Sequence, residues 1–270
     1  MGSGSTKSAP RLIVGTRVLL QNNIISALPF LSIDLIRIIS EYARQPMWIR
    51  DIMLRQKLVV SAINGIAVDS QSKLYVTTKI PFGSPYSTVS RIDPITEEVD
   101  HLDPWSKAAW FEINIRMLDG KECMKLMDAK TRKVDTYGLN GHRLNVRFKK
   151  QHSRFSNHIF SKQDNCVYDR RFLSPQQAEI RVFDCQSRHT RTFTVDACFD
   201  DQLAHAISLD RQGHLLIATQ NDVLVYSKDG QRIDSFLGDF DRAHGICVDS
   251  KSELVYVVDS GHRRIRIFDY

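Results

Sequence analysis

HGICVDSKSELVYVVDSGHRRIRIFD, residues His244 to Asp269, contains three β-rich runs separated by two short polar stretches, one opening at Asp249 and one at Asp259. Its first half recurs upstream as NGIAVDSQSKLYV from Asn64 and HAISLDRQGHLLI from His205. Each copy has small or apolar residues, an aspartate, a polar turn and then a second β-rich run. A unit of this kind cannot bury both of its faces alone, so copies must stack. A recurring all-β unit of about 40 residues predicts a β-propeller.

The inner-strand isoleucines mark the repeat. Ile66, Ile159, Ile207 and Ile246, with a degenerate unit around Ile113 in WFEINIRMLDGKECMKLMD, are separated by 47, 46, 48 and 39 residues by subtraction. That is close to the roughly 40–45 residues of a four-stranded blade. Five units are visible, and the last stops at Tyr270, one outer strand short. MWIRDIML, from Met47 to Leu54, has the composition to supply that strand and close the ring. If RLIVGTRVLLQ from Arg11 is part of a further blade, the count becomes six. The fold class is therefore all-β, a propeller of five or six four-stranded blades preceded by one short α-helical segment.

Length and composition agree. The chain has 270 residues, 42% of them hydrophobic and 25% charged, which suits one propeller with a short appendage. A single domain of this length buries about 75% of its unfolded surface and needs no covalent staples. The five cysteines, Cys123, Cys166, Cys185, Cys198 and Cys247, are widely spaced, contain no C-x-x-C pair and follow no secretory signal. They read as free thiols of a cytoplasmic protein. A net charge of +6 makes an acidic partner plausible without requiring one.

Three regions divide the chain. Residues 1–26 form a flexible tail with one possible strand, 27–46 a helix, and 47–270 the propeller. The tail opens MGSGST, which matches the myristoylation pattern at Gly2 and equally suits a cloning remnant or chance. If Gly2 is acylated, a single chain gives weak, reversible membrane contact. The helix is signalled by Ser32 as N-cap, Asp34 in the first turn, apolar residues at helical spacing and Pro46 beyond.

Leu31-Ser32-Ile33-Asp34-Leu35-Ile36, then Ile38-Ile39-Ser40 and Tyr42, resembles the F-box opening L-P-x-E-L-L-x-x-I-L-S-Y-L, with Ser32 where proline is usual. The resemblance implies that Leu31, Leu35, Ile36 and Ile39 face a Skp-type adaptor of a cullin ubiquitin ligase. The final unit resembles an NHL repeat, P-x-G-I-A-V-D followed by I-Y-V-A-D-S-G-N-H-R-I-x-V-F-D. It matches at Gly245, Ile246, Val248, Asp249, Tyr256, Val257, Asp259, Ser260, Gly261, Arg264, Ile265, Phe268 and Asp269. His262 and Arg263 stand where that pattern has Asn-His. The resemblance implies a binding platform for protein or RNA, often one part of a ubiquitin ligase or scaffold.

Candidate sites follow from the repeat register. Asp69, Asp210 and Asp249 end an inner strand, where a carboxylate caps turn amides or, in a sharper reading, ligates a metal. Two residues ahead of the marker isoleucines stand Asn64, Asn157, His205 and His244. In a propeller these four share one rim of the central channel, where they hold a metal, an anion or a polar ligand, or bond nearby loop backbone. A basic stretch, GHRLNVRFKKQHSRF from Gly141, places Arg143, Arg147, Lys149, Lys150 and Arg154 among aromatic residues. That pattern grips single-stranded RNA or forms a solvated outer strand. Arg170, Arg171, Arg188 and Arg191 lie in the same unit.

The chain carries no G-x-S-x-G elbow, P-loop, G-x-G-x-x-G or H-E-x-x-H motif. No catalytic residue, cofactor or resident metal is expected. The leading expectation is a monomeric, non-enzymatic propeller that holds a protein client on its rim. RNA binding is the alternative, and a channel-metal, lactonase-like hydrolase built on His205 and His244 is the third.

Overall fold

The structure, a computed structural model, describes residues 47–54, 62–79, 87–102, 110–128, 130–131, 133–144, 158–161, 164–197, 207–237 and 239–270. The predicted tail with Gly2 and the predicted F-box-like helix, with Leu31, Leu35, Ile36 and Ile39, lie outside the described residues. Among those described, no helix is long and apolar enough to cross a membrane.

The outer strand missing from the end of the chain is supplied from its other side. Strand β1 (Met47–Met53) pairs antiparallel with β19 (Arg264–Asp269), which continues into β18 (Leu254–Asp259) and β17 (Ala243–Asp249). Three further sheets have four strands in chain order. They are β2 (Ala62–Val68) to β5 (Val99–Leu102), β9 (His158–Ser161) to β12 (His189–Asp196), and β13 (Ile207–Leu209) to β16 (Arg232–Leu237). The fifth contains β6 (Trp110–Leu118), β7 (Lys121–Asp128) and β8 (Val134–Gly138). Among the described residues five small antiparallel sheets make a five-bladed propeller, and the RLIVGTRVLLQ segment from Arg11 lies outside them.

All five marker isoleucines lie on the first strand of their sheet, β2, β6, β9, β13 and β17. Among these inner strands β2 packs beside β17 and β6, and β13 beside β17 and β9. The β-branched residues that alternate along them fill the wedges between blades. Ile66, Leu74 and Val76 meet Tyr256, Val258 and Ile265 in one wedge, and Tyr75, Val89, Trp110, Ile113 and Leu126 fill the next. Ile180, Val182, Ile207, Leu215 and Leu224 form a third. Burying each such side chain contributes about 1.5–3 kcal/mol. The inner strands run close together at Gly245. A Cβ on Gly245 would lie 3.0 Å from Ile66 Cγ2 and 3.2 Å from the Asn64 carbonyl.

The repeated aspartates cap turns. Asp69 Oδ1 accepts from the Gln71 and Lys73 amides at 2.8 and 2.9 Å, and Oδ2 accepts from the Tyr75 hydroxyl at 3.0 Å. Burial and the Asp69 charge together push the Tyr75 phenol well above its ordinary value. Asp210 accepts from the His214 amide at 2.7 Å, and Asp249 from the Lys251 amide at 3.0 Å and the Ser252 hydroxyl at 2.7 Å. These bonds fill the carboxylates locally, so the metal reading of these residues is set aside. The degenerate unit departs here. Asp119 and Gly120, with φ of 49° and 76°, join Leu118 directly to Lys121 in a two-residue hairpin.

Four cysteines, Cys123, Cys166, Cys185 and Cys247, are free, and Cys198 lies outside the described residues. Burial pushes the Cys247 thiol well up.

Candidate binding rim

The end of the ring at which β2, β6 and β17 begin carries the described half of the predicted channel group. Asn64 Nδ2 donates to the Trp110 carbonyl at 3.3 Å, which ties the start of β2 to the start of β6 in the next blade. The Trp110 ring in turn meets Tyr137 edge-on at 5.8 Å. The amide of Asn64 therefore serves as an inter-blade latch, the backbone-bonding role open to it from the sequence. His244 is buried at the start of β17. Asn157 and His205 lie outside the described residues. Among the described residues no three His, Cys, Asp or Glu side chains gather as a metal-ligand group.

The same end holds the β18–β19 turn, because Asp259 at the end of β18 pairs with Ala243 at the start of β17. Asp259 has no exposed surface and is fully hydrogen-bonded. Its Oδ1 accepts from the Asp241 amide at 2.9 Å, and its Oδ2 faces His262 Nδ1 at 2.8 Å and accepts from Arg264 Nε at 2.7 Å. Arg264 also donates Nη1 to Asp51 of β1 at 2.8 Å and Nη2 to the Asp239 carbonyl at 2.7 Å. Burial works against the Arg264 charge, but the Asp259 and Asp51 carboxylates outweigh it and raise its pKa. Arg266 stands 3.4 Å from Asp51 and lies over the Phe240 and Phe268 rings at 5.3 and 5.6 Å.

This network shapes a cleft of about 410 Å³ lined by Met53, Gly261, His262, Arg263 and Arg264. The Arg263 carbonyl accepts from the Leu54 amide at 3.1 Å, and Arg263 holds a left-handed φ of 53°. A Cβ on Gly261 would fall 1.9 Å from Asp241 Oδ2, so any larger residue there would have to displace the Asp241 side chain. The sequence signal for the cleft was the DSGHRR run itself. The contribution of Asp51 carried no signal, because its partner is 213 residues away.

The basic segment fares differently. Arg143 bridges to Tyr137 beside β8 and donates Nη2 to Asp135 at 2.7 Å, and this bond raises its pKa. Arg147, Lys149, Lys150 and Arg154 lie outside the described residues. Of the further arginines in this unit, Arg171 and Arg188 are exposed. Arg170 is 3% exposed and its pKa is pushed down to about 10 by burial. Arg188 is paired with Asp184, and Arg191 donates to the Tyr168 hydroxyl.

Residues 240–268, which span β17 to β19, match the family model of the NHL repeat. The closing blade is thus similar to an NHL repeat. In this blade His262 takes the position where the repeat pattern has asparagine and presents Nδ1 to Asp259. Among solved structures, the chain is similar to a gluconolactonase from Xanthomonas campestris at 16% identity and a TM-score of 0.43. That likeness covers 76% of this chain and 71% of the other. No curated protein matches.

Proposed function

We propose that this NHL-type propeller is a non-enzymatic module that holds a protein partner at the end where Asn64, His244 and the Ser260–Arg263 turn lie. The observation that carries the reading is the cleft beside Met53 and Gly261–Arg264, whose floor is fixed from beneath by buried Asp259. Side chains on a turn held this firmly meet a partner with little ordering entropy left to lose. The opposite end carries exposed polar pairs. There Ser70 bonds Glu122 and Arg211 pairs with Glu253, each linking neighbouring blades.

In the finer form of this proposal, Leu31, Leu35, Ile36 and Ile39 dock a Skp-type adaptor, so that the propeller selects clients for a cullin ubiquitin ligase.

Site-specific photo-cross-linking in cells tests both parts. A benzophenone residue at exposed Gln220, on the cleft end, is expected to capture a discrete protein partner, whereas one at exposed Lys251, on the other end, is not. Equal capture from both ends, or capture only from Lys251, overturns the rim assignment. Leu35→Asp with Ile39→Asp is expected to remove a cullin complex from the purified material and keep the Gln220 adduct. A cullin complex retained by that variant removes the adaptor half.

A further inference from the structure

We infer that the cleft beside β19 receives a carboxylate side chain from the protein partner, with the Arg263 guanidinium as counter-charge and His262 Nε2 as a second contact. This rests on the rim reading above and adds the chemistry of what is bound.

The cations around the cleft are not equivalent. Arg264 distributes Nε, Nη1 and Nη2 to Asp259, Asp51 and the Asp239 carbonyl, so its charge is matched inside the blade. Arg266 is held against Asp51 and two aromatic faces, and Arg242 Nε lies 3.4 Å from Asp241. Arg263 is exposed, lines the cleft and has no side-chain partner among the described residues. Its backbone is pinned on both sides, the amide donating to the Ser260 carbonyl at 3.2 Å and the carbonyl accepting from the Leu54 amide at 3.1 Å. An unmatched guanidinium on a fixed turn is suited to two-pronged binding of a carboxylate.

His262 is set up beside it. The contact from Nδ1 to Asp259 fixes the ring and leaves Nε2 as the nitrogen open to a ligand, on a side chain 44% exposed. Met53 adds an apolar wall across from the turn. The arrangement fits an acidic residue flanked by an apolar one, and the chain's net charge of +6 favours approach of such a segment.

The test uses the full chain with labelled histidine and arginine, followed by nuclear magnetic resonance. Two acetylated, amidated tripeptides are titrated in, Leu-Glu-Leu and Leu-Gln-Leu, with inorganic phosphate as a third arm. The glutamate peptide is expected to shift the His262 ring and Arg263 Nε signals saturably and to bind about tenfold more tightly than the glutamine peptide. Arg263→Asn, whose side chain tolerates a left-handed backbone, should abolish that preference, and Arg263→Lys should restore part of it. Equal binding of the two peptides, a preference that survives Arg263→Asn, or a response to phosphate with none to the peptides would overturn the inference. The two readings fail separately. Gln220 cross-links without a glutamate preference sink only the carboxylate site, whereas a glutamate preference with cross-links solely from Lys251 sinks the rim reading.

Discussion

Asp259→Ala lowers the stability of the propeller by about 3–5 kcal/mol, the range for removing one member of a buried, hydrogen-bonded charge pair. Three groups converge on this carboxylate at 2.7–2.9 Å, and the carboxylate itself has no access to water because Asp259 is wholly enclosed. The substitution leaves Arg264, whose side chain is only 16% exposed, with Asp51 as its remaining carboxylate partner. For a domain of this size each kcal/mol moves the melting point by about 2–4 °C, so a drop of roughly 6–20 °C is expected. Urea unfolding of the variant should show a lower midpoint with an unchanged slope. The double variant with Arg264→Ala should lose less than the sum of the two single losses, because both break one network. A loss below about 1 kcal/mol, the scale of an exposed pair, would show that the carboxylate is not the keystone of the turn.

Removal of β1 has a larger effect still. A chain beginning after Leu54 is expected to lose cooperative unfolding altogether. Ile52 and Leu54 are both fully buried, in a wedge shared with Tyr256, Val258, Ile265 and Ile267. Deleting the side chain of one such residue costs about 2–5 kcal/mol through transfer and cavity terms. Taking both away with the whole β1–β19 ladder exceeds the 5–15 kcal/mol by which a typical domain is stable. The unpaired β19 edge that remains also invites association. Circular dichroism and thermal melting of the truncated chain decide the matter, and a sharp transition within a few degrees of the full chain would refute ring closure by β1. Ile52→Ala is the gentler version, with an expected loss of about 2–5 kcal/mol.

Much of this architecture could be read from the residues. Ile66, Ile207 and Ile246 mark inner strands because a small–apolar–Asp pattern records both the packing near the axis and the turn that follows. Strand β1 was legible from a last unit one strand short and an unclaimed β-rich segment far upstream. Other features needed register. The linear order shows neither that Arg143 is set beside Asp135 nor that Arg170 lies buried in its blade. Charge along a strand alternates between faces, and the linear order does not say which face is covered. Asn64 belonged to a rim group by its repeat position, yet its amide is turned to a neighbouring blade's backbone. The cleft depends on Asp51, Asp259 and Arg264 meeting across the closed ring, a juxtaposition invisible to local pattern.

The pairing of Met53 with Arg264 also sets a timetable for biosynthesis. At about 5–20 residues per second, a ribosome that has just made Met53 needs roughly 10–40 s more to reach the partner strand. Throughout that interval the first strand has no partner strand and its wedge only the half that Ile63, Ile66 and Leu74 supply, so nascent chains should be held by chaperones until translation is almost complete, and a stalled or prematurely terminated product cannot finish the circle.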